Sequence, residues 1–183
     1  EVDLQRHPSA EEVADLGSAA HALAYILIAA RRHTDVFEWG QRSTPFSLAA
    51  EIQRRLLPAS YTCEAGQFTL AGWLEPAARI GGDTFDYSLA RDQLHLSMTD
   101  AMGHGVAAAL TASLCVGALR GARREGSTLL EQATAANAAL AAHAVAGSTD
   151  DFVTGLIGRL NLRVGLLELV NAGHVAPYLL RGG

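Results

Sequence analysis

Cysteine and basic residues are both scarce in this chain of 183 residues. The two cysteines, Cys63 and Cys115, fall in a loop-like segment and in a helical pattern, so we expect two free thiols in a reducing compartment rather than a disulfide. Lys and Arg number 14 against 19 Asp and Glu, a net charge of −5 without long runs of one sign. This balance excludes the basic surface that nucleic-acid binding requires, and no nucleic-acid partner is expected.

Neither a membrane-spanning hydrophobic run nor a secretory leader is expected from the sequence. The most apolar stretch, residues 19–30, is shorter than a membrane span and contains His21. The N-terminus has no basic region followed by a small-residue cleavage site. We therefore expect a cytoplasmic protein with no membrane partner. What the chain does have is 49% hydrophobic residues, enough for one globular domain with a short appendage.

The appendage is predicted to be a helical lead-in over residues 1–58, before a domain over residues 59–183. Its first helix begins with the capping-box pair Ser9 and Glu12, after which apolar residues recur at helical spacing as far as Arg32.

A second helix is predicted to begin at Thr44 and Pro45 and to stop at Pro58. Its apolar residues share one face: Leu48, Ile52 and Leu56. The apolar faces of the two helices can pack on the domain, on each other or on a second copy of the chain. Simple packing is the preferred interpretation, and a homodimer through these helices stays open.

From residue 67 the apolar period changes to two, which predicts strands. The predicted strands cover residues 67–74, 79–89, 93–100, 152–160, 166–170 and 178–180. Two helices, residues 106–124 and 127–145, lie between the third and fourth strands. Runs of strands separated by a helix pair are typical of a layered α+β fold and not of a doubly wound one.

The hairpin formed by the second and third strands has a well-defined register. When the residue numbers of two paired residues add up to 183, as for Leu89 and Leu94, apolar residues pair with apolar ones and polar residues with polar ones. A shift of the pairing by one residue destroys this sorting. The next pair on the apolar face is Asp83 opposite Asp100. Directly opposed Cβ atoms lie roughly 5 Å apart, where two ionised carboxylates repel strongly. Core packing does not explain this pair, whereas a hard divalent ion such as Mg²⁺ or Mn²⁺ does.

Asp86 and the glycines near the Asp83–Asp100 pair also have expected roles. Asp86 lies on the opposite, polar face, so we expect it to be solvated or to support the site indirectly, unless a bulge at Gly81 and Gly82 shifts the register. Gly103 and Gly105 bracket His104 at a strand-to-helix turn. Backbone N–H groups at such a helix start favour an anion, which predicts a phosphate-binding role for residues 103–105.

Several motifs together resemble one known family. They are IGGDTFDY, TDAMGHGVAAAL, DDFVTG and NAGHVAPYLLRGG, with AAEIQRRLLP before them. In this order they are similar to the stage II sporulation protein E branch of the metal-dependent (PPM) protein serine/threonine phosphatases, over residues 46–183. The resemblance implies a β-sandwich flanked by helices, in α-β-β-α layers, with two Mn²⁺ or Mg²⁺ ions at one edge.

The resemblance also implies roles for particular residues. Asp83 would bind one metal, and Asp100 and the backbone carbonyl of Ala101 would bridge the two ions. A metal-activated water would attack phosphoserine or phosphothreonine, with no catalytic side chain and no covalent phosphoenzyme. The implied substrates are phosphorylated antagonists of anti-sigma factors.

One feature of the sequence favours a second hypothesis. Family members continue past the GH-x-x-P motif with further strands and acidic motifs, whereas this sequence ends at Gly183, so we expect a C-terminally truncated domain with weak metal binding and low or absent activity. The alternative is therefore a phosphatase-like regulatory or dimerisation module without turnover. A nucleotide-binding domain is a weaker third hypothesis, because the G-x-G-x-x-G fingerprint is missing.

Other polar side chains receive structural interpretations. His95 lies on the polar face of the hairpin, where solvation is expected. His174 ends a strand, and a structural role is preferred to acid catalysis or a phosphate contact. Asp150 and Asp151 are expected in a loop. No base accompanies Ser113 in the order that a covalent nucleophile needs.

Overall fold

The structure is a computed structural model that describes residues 9–30, 47–74, 81–144 and 152–181. The chain divides into two units, Glu1–Pro45 and Phe46–Gly183. The first unit contains helix α1, Ala10–Ala30. Its predicted capping box is confirmed: the Ser9 amide donates to Glu12 Oε2 at 2.7 Å, and the Glu12 amide donates to Ser9 Oγ at 3.2 Å.

The second unit is an α+β assembly of antiparallel sheets and helices. Its elements are α2 (Leu48–Leu56), β1 (Thr62–Glu64), β2 (Thr69–Ala71), β3 (Gly81–Leu89), β4 (Gln93–His104), α3 (Gly105–Arg124), α4 (Leu129–Ala144), β5 (Val153–Asn161) and β6 (Leu166–Ala172). Strands β3 to β6 form a four-stranded sheet in the order β3-β4-β5-β6, and β1 pairs with β2 in a small second sheet. The predicted fold class, antiparallel sheets flanked by helices with an N-terminal helix, is confirmed.

Local sequence signals account for the helix ends. Helix α2 is capped by Ser47, whose Oγ accepts a hydrogen bond from the Ala50 amide at 3.1 Å. Helix α4 begins with a capping pair, Thr128 and Glu131, since Glu131 Oε2 accepts from the Thr128 amide at 2.7 Å. Helix α3 is followed by Gly126, which has a φ of 81° that favours glycine.

One face of the four-stranded sheet is covered by α3 and α4. The hydrophobic core between these helices and the sheet consists of Cys115, Leu119, Leu129, Ala136 and Ile157. Small side chains on α3, among them Ala108 and Ala112, are almost completely buried, which lets the helix approach the sheet closely. The burial of this face therefore depends on the alanine-rich character of α3.

The opposite face of the sheet carries the more apolar side chains but is only partly covered. The β1–β2 sheet lies against it through a ring contact between Tyr61 and Phe85, with centroids 5.3 Å apart. Further from this contact Met98 is 52% exposed and Leu167 and Leu169 are also exposed. Alternation along a strand shows which residues share a face, and it leaves undecided which face the helices cover.

Some predicted elements differ from those observed. Strand β1 was not predicted, and it places Cys63 in a strand rather than a loop. Residues 178–180 were predicted as a strand and are outside regular structure, with Tyr178 and Leu180 almost fully exposed. A strand needs a neighbouring strand for its backbone hydrogen bonds, and none of the described strands pairs with this segment. The predicted helix start at Thr44 lies outside the described residues.

Two helices are long and apolar enough to cross a membrane by length and composition alone, Ala10–Ala29 and Gly105–Arg124. The second has 44% of its apolar window buried within the structure, as expected of a core helix. For the first, length and composition are the only indication.

Candidate functional site

Asp83 on β3 pairs directly with Asp100 on β4, in the predicted register. The register shift that Gly81 and Gly82 suggested is present, between these two glycines. It lies before Asp83, so every pair from Asp83–Asp100 to Leu89–Leu94 keeps the predicted alignment.

The two carboxylates are close because of how the backbone of β3 is bonded. The carbonyl oxygen of Asp83 accepts a hydrogen bond from the side chain of Gln53, at 2.7 Å, on the free edge of β3. Asp83 therefore points its backbone groups away from β4, which makes Asp83–Asp100 a pair of the non-hydrogen-bonded kind. Side chains approach each other most closely in such pairs.

The pKa of Asp83 is raised above its ordinary value. Both acids are exposed, yet partial shielding of Asp83 by surrounding atoms is the largest cause, followed by the charge of Asp100 and a hydrogen bond with the Asp100 side chain. His174 acts in the opposite direction. A proton shared between two carboxylates occupies the position that a cation can take, because both stabilise the pair by neutralising its charge.

The residues around this pair fit a hard divalent ion. Gly82 faces Ala101, and a Cβ atom at Gly82 would overlap the carbonyl oxygen and the Cβ of Ala101. Glycine therefore allows β3 to approach the strand segment that carries Asp100. Carboxylate and carbonyl oxygens are the ligands that Mg²⁺ and Mn²⁺ prefer. Asp83, Asp100 and the carbonyl of Ala101 are the residues that would hold such an ion, and their ligand roles stay predictions.

The described residues contain no cluster of three or more His, Cys, Asp or Glu side chains arranged to hold a metal ion. Asp83 and Asp100 are thus a pair of acidic side chains on adjacent strands. A site with only two carboxylates is expected to bind Mg²⁺ weakly and to leave most of its coordination to water and to substrate oxygens.

The predicted phosphate-binding segment, residues 103–105, forms the junction of β4 and α3. Gly103 and Gly105 have φ angles of 89° and 77°, a region of backbone conformation that favours glycine. His104 pairs with Gly81 across the bulge and is exposed. The structure thus places this segment at the same end of the β3–β4 hairpin as the acids, and its role in binding phosphate stays a prediction.

His174 contacts Thr154, the residue on the strand next to Asp100. Its Nδ1 is 3.0 Å from Thr154 Oγ1, and Thr154 is the β5 residue that pairs with Asp100. The Asn171 side chain holds the preceding turn by accepting from the His174 amide at 2.8 Å and donating to the His174 carbonyl at 3.0 Å. The NAGH motif therefore fixes His174 beside the carboxylate pair.

A large part of the second unit matches a known protein family. The profile of the Stage II sporulation protein E (SpoIIE) family matches residues 90–183, more than half of the sequence. The chain belongs to the SpoIIE family. The resemblance drawn from the sequence motifs is thereby confirmed.

Two solved structures are similar to this SpoIIE-family chain. The RsbU and RsbW domains of Rv1364c from Mycobacterium tuberculosis share 32% identity, over 51% of this chain and 25% of that chain, with a TM-score of 0.45. A Stage II sporulation E family protein from Thermanaerovibrio acidaminovorans shares 25% identity, over 46% of this chain and 42% of that chain, with a TM-score of 0.41. The chain thus spans a quarter of one relative and less than half of the other.

The sequence analysis expected Asp86 either to be solvated or to support the site indirectly, and its burial in this SpoIIE-family chain excludes the solvated alternative. Asp86 is 7% exposed and lies under α3. Arg120 binds it through Nε and Nη2 at 3.0 and 2.9 Å, and Arg123 Nη1 adds a bond at 3.2 Å. The polar face of the hairpin is the one that the helices cover, so Asp86 is buried and is neutralised by two arginines.

The expectation of a solvated His95 is wrong for the same reason. Its ring is partly buried, and its Nδ1 has no hydrogen-bond partner among the described residues. Burial lowers the pKa of His95, and the positive charges of Arg123 and Arg159 lower it further. His95 is therefore held in its neutral form more firmly than an ordinary histidine.

Gln53 was the main residue that sequence reasoning missed. It is 7% exposed, and its Nε2 donates to the carbonyl oxygens of Gly81 at 3.1 Å and Asp83 at 2.7 Å. The predicted apolar face of α2 is partly wrong, because Leu48 is exposed whereas Ala49 and Gln53 are buried. The one available signal was its position inside the AAEIQRRLLP motif. Asp150 and Asp151 lie outside the described residues.

Proposed function

We propose that this chain carries part of the active site of a metal-dependent protein serine/threonine phosphatase, which hydrolyses phosphoserine or phosphothreonine on a regulatory protein such as an anti-sigma factor antagonist. The observation that carries the proposal is the Asp83–Asp100 pair, on adjacent strands of a SpoIIE-family chain. No requirement of packing explains two like charges at this position, and binding of a cation does.

In this proposal the residues of the protein bind the metal ions and orient the substrate. Asp83, Asp100 and the Ala101 carbonyl would hold Mn²⁺ or Mg²⁺. Bound divalent ions supply Lewis-acid stabilisation of phosphoryl oxygens and lower the pKa of water. The Thr154–His174 contact places an imidazole beside the acids, where it can donate a hydrogen bond to a substrate oxygen.

Support for the substrate class comes from the family alone. The profile match is to the Stage II sporulation protein E (SpoIIE) family. A phosphorylated protein of the anti-sigma factor antagonist type is therefore the proposed partner. A homodimer through the N-terminal helices is proposed as its regulatory form, since α1 carries exposed apolar side chains such as Leu16 and Leu23.

The proposal is tested by phosphate release from a phosphoserine peptide and from p-nitrophenyl phosphate in the presence of Mn²⁺. We expect the wild-type chain to release phosphate and the Asp100→Asn variant to release none. Asp92→Asn is the matched control, because Asp92 lies in the turn of the same hairpin and its ion pair within the described residues is with exposed Arg163, at 3.2 Å. Equal rates for wild type and Asp100→Asn would remove Asp100 from the mechanism.

Metal binding distinguishes the phosphatase from the alternative, a regulatory or dimerisation module without turnover. Calorimetric titration with Mn²⁺ is expected to show binding that Asp83→Asn and Asp100→Asn each remove. Metal binding without phosphate release would favour the regulatory module for this chain. Absence of both from the wild-type chain would contradict the proposed site.

A further inference from the structure

The buried Asp86 cluster is connected to the backbone of the candidate metal site by a series of hydrogen bonds that runs through helix α2. Burying a carboxylate costs several kcal/mol unless charged partners and hydrogen bonds replace its water. Arg120 and Arg123 supply those partners. A cluster of this kind contributes little net stability compared with an apolar core. Its role is therefore inferred from the contacts that it makes.

Arg120 makes a second contact that leads out of the cluster. Its Nη2 also donates to the carbonyl oxygen of Leu56 at 2.7 Å. Leu56 is the last residue of α2, where carbonyl oxygens have no partner within the helix. A cation at a helix C-terminus is also favoured by the helix dipole. Arg120 therefore fastens the end of α2 to Asp86.

The same helix carries Gln53 at the position where it bonds the edge of β3. Gln53 lies about one turn before Leu56, and its two hydrogen bonds reach the carbonyls of Gly81 and Asp83. Within a helix of nine residues the backbone moves as a unit, so the position of the C-terminus determines the position of Gln53. Among the described strands β3 lies at the edge of the sheet, so no further strand there holds these carbonyls.

We propose that Asp86 is a positioning residue for Asp83. It acts through Arg120, the C-terminus of α2 and Gln53, which together hold the β3 backbone on both sides of Gly82. The two acids of the GGDTFDY stretch would then have complementary roles, with Asp83 at the site and Asp86 setting the backbone from which Asp83 projects. The effect of these hydrogen bonds on metal binding rests on the proposed function. The hydrogen bonds themselves, and their effect on the position of Asp83, are independent of it.

The planar fork of Arg120 explains why arginine is required. Its Nε and Nη2 bond both oxygens of Asp86, and Nη2 reaches Leu56 at the same time. A lysine ammonium has one nitrogen and cannot reproduce this arrangement. Arg120→Lys therefore keeps the charge beside Asp86 while removing the connection to α2.

The experiment compares Asp86→Asn and Arg120→Lys with Leu129→Ala, a core variant in α4 that lowers stability without touching the series. In the metal-free protein, NMR measures the solvent exchange of the Gln53 side-chain amide. We expect Asp86→Asn and Arg120→Lys to accelerate this exchange about tenfold, equivalent to the loss of one net hydrogen bond. Leu129→Ala should leave it unchanged. Mn²⁺ affinity should fall several-fold in the first two variants only.

The outcomes separate this inference from the proposed function. If Gln53 exchange is the same in Asp86→Asn, Arg120→Lys and Leu129→Ala, Asp86 has only a structural role and the inference is wrong. If the wild-type chain does not bind Mn²⁺, the proposed function fails, and the exchange rates still decide whether Asp86 positions Asp83. If Asp86→Asn does not fold, Arg120→Lys gives the decisive comparison.

Discussion

The side-chain amide of Gln53 donates to the carbonyl oxygen of Asp83 at 2.7 Å. The first helix of the second unit, α2, is thereby bonded to the strand residue that faces Asp100. The contact links two parts of the chain that are 30 residues apart and that no local sequence pattern connects.

Replacement of Gln53 by methionine should destabilise the second unit. Methionine has a similar length but no donor, so the carbonyls of Gly81 and Asp83 lose their partner, at a cost of about 1–3 kcal/mol. Urea unfolding measures the change. Arg55→Gln on the same helix is the control, because the Arg55 side chain is 76% exposed and its ion pair with Glu51 should contribute less than about 0.5 kcal/mol. Equal losses for the two variants would contradict the assignment.

Replacement of Asp83 by asparagine should separate metal binding from stability. The substitution removes repulsion from Asp100, so the free energy of unfolding without metal should stay within about 1 kcal/mol of wild type or rise slightly. Mn²⁺ should then stabilise wild type and leave Asp83→Asn unchanged. Thermal unfolding with and without Mn²⁺ checks both statements. A large loss of stability without metal would show that Asp83 has a structural role.

Replacement of Gly82 by alanine should be strongly destabilising. The added Cβ would overlap the Ala101 carbonyl oxygen, and since backbone atoms cannot move aside cheaply, we expect a loss of about 2–4 kcal/mol. Gly121→Ala is the matched control, because Gly121 lies inside α3 with open space around it and alanine there should stabilise by about 0.5–1 kcal/mol. Chemical denaturation of both variants measures the difference, and a mild effect at Gly82 would mean that β3 and β4 are less closely packed.

The two cysteines should differ in reactivity. Burial raises the pKa of the Cys115 thiol to about 11, so almost none of it is thiolate at neutral pH, whereas Cys63 is only partly buried. Titration with a thiol reagent in the native protein should label Cys63 first and Cys115 only after unfolding. Cys63→Ser supplies the control, since it should abolish the fast reaction. A fast reaction that persists in Cys63→Ser would show that Cys115 is accessible.

His95 should make stability depend on pH. Its pKa in the folded protein is lowered from the ordinary value of 6.5, so the unfolded chain binds the proton first as pH falls. The stability contributed by neutral His95 is therefore complete above pH 6.5 and is lost as pH falls toward the folded pKa. Urea unfolding between pH 8 and pH 5 should show this loss, and His95→Gln should reduce it. An unchanged pH dependence in His95→Gln would assign the effect to another group.

Much of the hairpin that carries the candidate site was predictable from the sequence. The pairing of Asp83 with Asp100 followed from the sorting of apolar and polar partners, because a strand has a side-chain period of two and only one register satisfies both faces. The capping pairs of α1 and α4 were predictable for a similar reason: they involve residues three apart that meet in any helix start.

The burial of Asp86 and His95 was beyond this reasoning. Alternation places Asp86 and His95 on one face of the hairpin and Asp83 on the other, but it does not state which face receives α3. That choice depends on Arg120 and Arg123, more than 30 residues further along the chain, which become partners of Asp86 only when α3 packs on the sheet.

The sequence by itself determined the family, the hairpin register and the opposed acids, because these depend on local periodicity and on motifs. Only the tertiary structure decided that Gln53 holds the backbone of Asp83, that Asp86 is buried between two arginines and that His174 stands beside the carboxylate pair. Each of these contacts joins segments distant in sequence, and their hydrogen bonds form only when packing removes water from both partners.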